Sequence, residues 1–343
     1  MNYHNILIVK LSAIGDVIHA LPVAAALKQN FPQARITWVV EPPAYDLLTS
    51  NPNIDEIIIF DKSQCKTLVS LLRYAPGFSR TLRQHQFDLA LDLQGLFKSA
   101  AITYLSGAAK RLVYCNAREF SDQVSQKVCG PNCSGHIVDR YLDVPLELGC
   151  QITKPEFTIN ITDKEAALAA AIAKQAGLDI TNPYVVLIPG TNWPNKCWPP
   201  GHFAQLAEKL FEQHIIPVFV GTNADRTAMN EIIANMTIPP VDLTGKTTLK
   251  QLAYILKNAR TVVAGDTGPM HLAAAVNTPV IALFGPTDPA RNGPYGTGHV
   301  VLTTARACQG CWRRQCTEGK VCLDNISVNE VFGTVINLGK RTV

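Results

Sequence analysis

The sequence predicts an α/β protein built from two doubly wound parallel-sheet domains in tandem. Three observations carry that prediction. Short, continuous, β-branched apolar runs alternate with longer segments of helical pattern. The alternation starts afresh past the middle of the chain. The length, 343 residues, fits two cores of roughly 150 residues better than one. Hydrophobic residues make up 47% of the chain and charged residues 17%, which excludes disorder and a coiled coil. The longest uninterrupted apolar run, 166–173, is mostly alanine and falls well short of the roughly 18 residues that span a bilayer.

The first set of strands is Ile6-Leu7-Ile8-Val9, then 36–40, 56–60 and 89–93. Runs that are apolar throughout read as strands covered on both faces, hence as a parallel sheet with helical crossovers. The first strand leads into Leu11-Ser12-Ala13-Ile14-Gly15-Asp16 and a helix over 17–30. The second set is 184–188, 215–220, 261–264 and 279–284, with helices at 201–213 and 249–258. A seam is expected between 149 and 182, where an alanine-rich helix begins at Thr162-Asp163-Lys164-Glu165, a capping-box pattern. The expected domains are therefore 1–160 and 161–343, with the last helix free to pack back on the first. Two such domains facing each other would bring the carboxyl ends of both sheets to one cleft, where open α/β sheets bind ligands.

Several segments at those strand ends offer chemistry. The first turn is neither a P-loop nor a three-glycine dinucleotide fingerprint. Gly15 lets the chain turn, and Asp16 then reads either as a helix N-cap or as a general base for a substrate hydroxyl. In the second half, a strand stops at Gly265-Asp266-Thr267-Gly268 and a helix follows at Pro269, an anion-binding arrangement that would present free backbone N–H groups to a diphosphate. An ordinary strand–turn–helix corner explains the same residues, and His271 alone reads equally as a packed helix residue. The loop Pro189-Gly190-Thr191-Asn192-Trp193-Pro194-Asn195-Lys196 offers a phosphate-neutralising lysine and the donors Thr191 and Asn192. Asp225 follows a strand where α/β nucleotide sites place an acid against ribose. Cys308, Cys311, Cys316 and Cys322 could supply thiolates to zinc or an iron–sulfur cluster, although their spacing fits neither a zinc ribbon nor a ferredoxin run. Reduced or redox-linked thiols are the other reading, and a metal- or redox-sensing protein is the function that would follow.

Taken together, Gly15-Asp16, Lys196-x-Trp198-Pro199, Gly265-Asp266-Thr267-Gly268-x-x-His271-Leu272-Ala273-Ala274 and Phe284-Gly285-Pro286-Thr287-Asp288-Pro289 resemble glycosyltransferase family nine, the ADP-heptose:lipopolysaccharide heptosyltransferases. The resemblance runs from the first strand to Tyr295. It implies a GT-B fold, two facing Rossmann-like domains with the acceptor on the N-terminal one and the nucleotide sugar on the C-terminal one. It implies that Asp16 is the catalytic base and Lys196 the phosphate contact. Thr191, Asn192, Asp225, Thr247, Asp266, Thr267, Gly268 and His271 would hold the donor, Asp225 replacing a longer Glu at the ribose and Thr247 lying by the adenine. Lys10, Ser12, Gly15, Lys98 and Arg118 are the acceptor-side candidates. The reaction implied is an inverting displacement from ADP-heptose to a lipid-linked lipopolysaccharide-core acceptor, with no cofactor and no metal required, consistent with the absence of an Asp-x-Asp pair near the donor motifs.

The formal net charge of +4 looks too small to imply a polyanionic partner. Between Lys62 and Arg118, however, nine basic residues face two acidic ones, a local net of +7. An anionic lipid-linked glycan or an anionic membrane face would be drawn to that segment, whereas nucleic acid lacks any accompanying recognition motif. A solvated helix face is the plain alternative. With no basic leader before the first apolar run and ten sparse cysteines, the expected location is cytoplasmic, peripheral on the inner face of the cytoplasmic membrane. Two other functions fit the same fold. One is a GT-B transferase using another nucleotide sugar for O-antigen or cell-wall glycan, and the other is a non-catalytic sugar-nucleotide-binding protein.

Overall fold

The computed structural model describes residues 3–339. The chain forms two compact units, Met1–Asn160 and Ile161–Val343. The first contains β1 (Asn5–Val9), α1 (Ile14–Asn30), β2 (Arg35–Val40), α2 (Pro42–Leu48), β3 (Glu56–Ile59), α3 (Leu68–Gln84), β4 (Leu89–Asp92), α4 (Phe97–Leu105), β5 (Lys110–Tyr114), β6 (Gln126–Val128) and α5 (Ile137–Glu147). The second contains α6 (Asp163–Gln175), β7 (Tyr184–Ile188), α7 (Pro200–Glu212), β8 (Ile216–Phe219), α8 (Arg226–Ala234), β9 (Val241–Asp242), α9 (Leu249–Lys257), β10 (Thr261–Gly265), α10 (Gly268–Ala275), β11 (Val280–Phe284), α11 (Pro289–Asn292), β12 (Val300–Thr303) and α12 (Val328–Gly339).

Each unit holds one six-stranded sheet, in the orders β3-β2-β1-β4-β5-β6 and β9-β8-β7-β10-β11-β12. The strand pairs are parallel throughout, from Ile6 opposite Ile36 in the first sheet to Val262 opposite Val186 in the second. Both orders reverse beside the first strand of the sheet, which puts a topological switch point between β1 and β4 and another between β7 and β10. All five residues of β7, β10 and β11 are buried, as strands covered by helices on both faces must be.

Capping fixes the helix entering the second unit. Thr162 Oγ1 accepts from the Glu165 N–H at 3.3 Å while the Glu165 carboxylate accepts from the Thr162 N–H at 2.7 Å. Glu165 also pairs with the fully buried Lys250 of α9 at 3.3 Å, tying α6 to the unit it introduces. The last helix, α12, buries Val331, Val335 and Leu338 in the core of the second unit beside Leu206, Leu210 and Val263. Those three positions recur at helical spacing, and burying each contributes roughly 1.5–3 kcal/mol relative to exposure. Among the described residues no helix is long and apolar enough to cross a membrane.

Candidate active site

In the first unit the polar residues gather where β1, β2 and β4 end. Asp16 is the third residue of α1, not its N-cap, because the cap position falls on Ala13. Its Oδ2 accepts from the Ala13 N–H at 3.3 Å, half of a capping box, and Oδ1 has no hydrogen bond among the described residues. The turn before it is held from across the switch point: Gln94 Oε1 accepts from the N–H groups of Leu11 and Ser12 at 3.1 and 3.2 Å. Gly15 is buried at the helix start.

Lys10, expected at the acceptor, lies between the end of β4 and α5. It is only 2% exposed, and its Nζ donates to the Leu93 carbonyl at 3.0 Å and to Tyr141 Oη at 2.7 Å, so it braces the core. Lys98, a second acceptor-side candidate, has its ammonium engaged. It pairs at 2.7 Å with Glu41, a buried carboxylate that also holds Lys62 at 2.9 Å. Burial acts to raise the Glu41 pKa, and hydrogen bonds and charge from the two lysines more than offset it, leaving the carboxyl below its ordinary value. Arg118 is exposed. Its backbone N–H is pinned to the Gly95 carbonyl at 2.8 Å, and its guanidinium has no partner among the described residues.

In the second unit the centre is Asp266, which follows β10 and is 6% exposed. Lys196 Nζ donates to its Oδ2 at 2.6 Å, Thr287 Oγ1 donates to the same oxygen at 2.8 Å, and His271 Nε2 stands 3.4 Å from Oδ1. Burial would raise this carboxyl's pKa, but bonding and charge from His271 and Lys196 dominate and hold it well below the usual carboxylate range. The lysine reaches this place on a short 3-10 turn, Pro194–Lys196, with Nζ 4.4 Å from the centre of the Trp193 ring. Gly265 permits the approach, since a Cβ there would collide with the Lys196 carbonyl. Gly190 does the same for Asp225, whose carboxylate lies against it. Asp225 Oδ2 accepts from the Thr222 N–H and hydroxyl at 2.7 and 2.8 Å, and Oδ1 has no hydrogen bond among the described residues.

Two donor-side candidates make local hydrogen bonds. The Thr191 hydroxyl donates to the Trp193 carbonyl at 2.7 Å and touches Cys197 Sγ at 3.3 Å, so it shapes its loop; Asn192 is the exposed residue. The start of α10 offers fewer N–H groups than the turn suggested. Pro269 has none, and those of Met270 and His271 reach the Thr267 carbonyl at 3.1 and 3.3 Å, which leaves the N–H groups of Thr267 and Gly268 and the Thr267 hydroxyl. Thr247 is half-buried in the turn before α9, and that turn is linked to the Asp225 loop by Gly245 N–H to the Gly221 carbonyl at 2.8 Å.

The cysteine-rich segment after β12 docks beside this site. The N–H groups of Gly310 and Trp312 donate to the carbonyls of Gly285 and Pro286, and buried Asn195 donates to the Arg313 carbonyl at 3.0 Å. That places the Arg314 guanidinium 5.5 Å from the centre of Trp193, the ring that also carries Lys196. Cys308, Cys311, Cys316 and Cys322 are free thiols, and burial with the neighbouring sulfurs pushes Cys322 up to about 11. No group of three or more His, Cys, Asp or Glu among the described residues could hold a metal ion.

Gln94, Glu41, Thr287 and Arg314 were not singled out from the sequence. Thr287 stood in a quoted motif without a role, and Arg314 stood among the cysteines; Gln94 and Glu41 carry no local signal, because only the sheet order brings them to β1.

Two Rossmann-like units of identical strand order, each with its polar cluster at the switch point, define the GT-B class of nucleotide-sugar enzyme fold. A profile of glycosyltransferase family 9 (heptosyltransferase) matches residues 77–322. The chain belongs to that family and is a glycosyltransferase. Lipopolysaccharide heptosyltransferase 1 of Pseudomonas aeruginosa is 31% identical over 330 residues, covering 91% of this chain and 87% of the relative. In structure the chain is similar to the glycosyl transferase family 9 protein of Veillonella parvula, with a TM-score of 0.87 and 24% identity over 99% of this chain and 98% of that one. It is also similar to Escherichia coli heptosyltransferase WaaC with ADP, with a TM-score of 0.75 and 23% identity over 97% and 99% of the two chains.

Proposed function

We propose that this enzyme transfers heptose from ADP-heptose to an anionic, lipid-linked acceptor of the lipopolysaccharide core, by a single inverting displacement without a divalent metal. The observation that carries the reading is the Lys196 ammonium held by buried Asp266 beside Thr267, Gly268 and His271 at a switch point. A fixed cation next to a helix start is suited to a departing diphosphate. The names of the relatives, lipopolysaccharide heptosyltransferase 1 and a heptosyltransferase with ADP, support the donor and the pathway.

In the proposed step Asp16 takes the proton of an acceptor hydroxyl as that oxygen bonds to the anomeric carbon. The bond from the anomeric carbon to the β-phosphate oxygen breaks, and its electron pair leaves with ADP. Lys196, the Gly268 N–H, the Thr267 hydroxyl and Asn192 take up the developing charge, Asp225 holds the ribose through its unengaged oxygen, and Thr247 lies by the adenine. Ser12 and Gly15 shape the turn under the acceptor, and Lys98 and Arg118 meet its anionic groups. A lipid-linked acceptor makes the enzyme a peripheral protein on the cytoplasmic face of the inner membrane.

The test is transfer from ADP-heptose to a defined core acceptor in the presence of a chelator, with mass spectrometry and NMR of the product. The expected product gains one heptose with inverted anomeric configuration at an unchanged rate. Retention, a chelator-sensitive rate, or preference for another nucleotide sugar contradicts the proposal.

A further inference from the structure

Helix α3 has two apolar faces, and only one of them is used by the fold. Tyr74, Phe78 and Leu82 turn inward, with Phe78 and Leu82 buried and the rings of Tyr74 and Phe78 lying 6.1 and 5.5 Å from that of Phe60. Its first turns project into solvent: Leu68 is 71% exposed, Val69 60% and Leu72 65%. At helical spacing Leu68, Leu72 and Pro76 form one strip with Val69 beside it. An exposed patch of this kind in a folded protein marks a contact with something apolar.

The charges around the strip say what that something is. From Lys62 to Gln84 there are five basic residues, Lys62, Lys66, Arg73, Arg80 and Arg83, and no carboxylate. Arg73 borders the apolar strip and Arg80 and Arg83 continue it toward the helix end. Arg73 and Arg80 have no hydrogen-bond or ion-pair partner among the described residues. Arg80 and Arg83 line an open concavity with Pro76, Ser79 and Gln84, and Arg73 lines a second one with Val69 and Thr67. Apolar side chains at a helix tip, flanked by arginines above small concavities, match the layering of an anionic bilayer, in which acyl chains lie beneath phosphate headgroups.

We infer that α3 is a membrane-docking element: Leu68, Val69 and Leu72 enter the acyl region of an anionic phospholipid surface, and Arg73, Arg80 and Arg83 seat on its phosphates. Its purpose, bringing the first unit to a lipid-linked acceptor, rests on the function proposed above; the binding itself does not.

The test is flotation of the full chain, without donor or acceptor, on vesicles of phosphatidylglycerol in phosphatidylethanolamine and on vesicles of phosphatidylcholine. Binding is expected to be at least about tenfold stronger on the anionic vesicles, and to fall at least about tenfold in Leu68→Ser/Leu72→Ser and in Arg73→Glu/Arg80→Glu. Both variants should melt as the wild type does and should keep its transfer rate on a lipid-free, water-soluble acceptor. Equal binding to both vesicle types, unchanged binding by the leucine variant, or loss of self-association without any change in vesicle binding overturns the inference, the last by assigning the patch to a second copy of the chain. Vesicle binding that persists while heptose transfer fails would refute the proposed function alone.

Discussion

Asp92 in the first unit and Asp266 in the second both stand where the strand beside the first strand of their sheet ends, and both are buried. Their surroundings differ. Asp92 accepts from the N–H groups of Gln94 and Gly95 at 3.0 and 2.8 Å and from Ser99 Oγ at 3.0 Å, all neutral donors. Burial prevails and raises its pKa, against those bonds and the nearby charge of Lys10. Asp266 meets Lys196 and His271 directly, and its pKa falls. The contrast shows two uses of one position. In the first unit the buried acid organises the backbone turn at Gln94 and Gly95, while Asp16, on α1, has a single 3.3 Å bond and an unengaged oxygen. In the second unit the buried acid fixes a cation in place, a form of electrostatic preorganisation.

Breaking the second arrangement should have the largest effect. Asp266→Asn leaves Lys196 and His271 beside a neutral partner, and loss of one member of a buried pair costs about 3–5 kcal/mol, to be read as a lower unfolding free energy. The same substitution should flatten the acid limb. Because the folded pKa of Asp266 lies well below its unfolded value of about 3.9, its stabilisation is complete above that pH and is lost progressively as pH falls toward the folded pKa, so the gap between wild type and variant should narrow steadily below about pH 4. Lys196→Ala comes next, with kcat lowered about 10²–10³-fold, the effect of removing one donor to developing charge. Gln94→Leu tests the first unit: two part-buried N–H groups lose their acceptor at a cost of about 1–3 kcal/mol, which steady-state kinetics should show as a lower kcat at near-constant donor KM. Arg314→Ala should act least, weakening ADP binding by about 2–5-fold in calorimetry, in keeping with a cation–π contact worth about 0.5–1 kcal/mol at an exposed site.

The strands named from the sequence were legible because buried parallel strands are apolar throughout; Tyr184-Val185-Val186-Leu187-Ile188 coincides with β7. Lys110–Tyr114, Gln126–Val128 and Val300–Thr303 were missed because these outer strands are charged or partly exposed and lack that signature. Asp16, Lys196 and Asp266 could be picked out because they follow strands in motif-bearing turns. What the sequence could not supply was engagement. Lys10 and Lys98 look alike on paper, yet one is sealed in the core and the other bonds a buried acid 57 positions away. The Thr191 hydroxyl turns to its own loop, and Gln94 acts on a turn 83 positions earlier.

The central claim is that the unengaged carboxylate oxygen of Asp16 does the proton chemistry while the donor is held elsewhere, by the Lys196–Asp266 cluster. Asp16→Asn preserves size and the acceptor for the Ala13 N–H. Measuring its transfer rate alongside its calorimetric affinity for ADP-heptose separates the two roles. The account predicts a kcat lowered about 10²–10⁴-fold with donor affinity and melting temperature unchanged. Transfer within a few-fold of wild type, or a loss of donor affinity that matches the loss of rate, would contradict it.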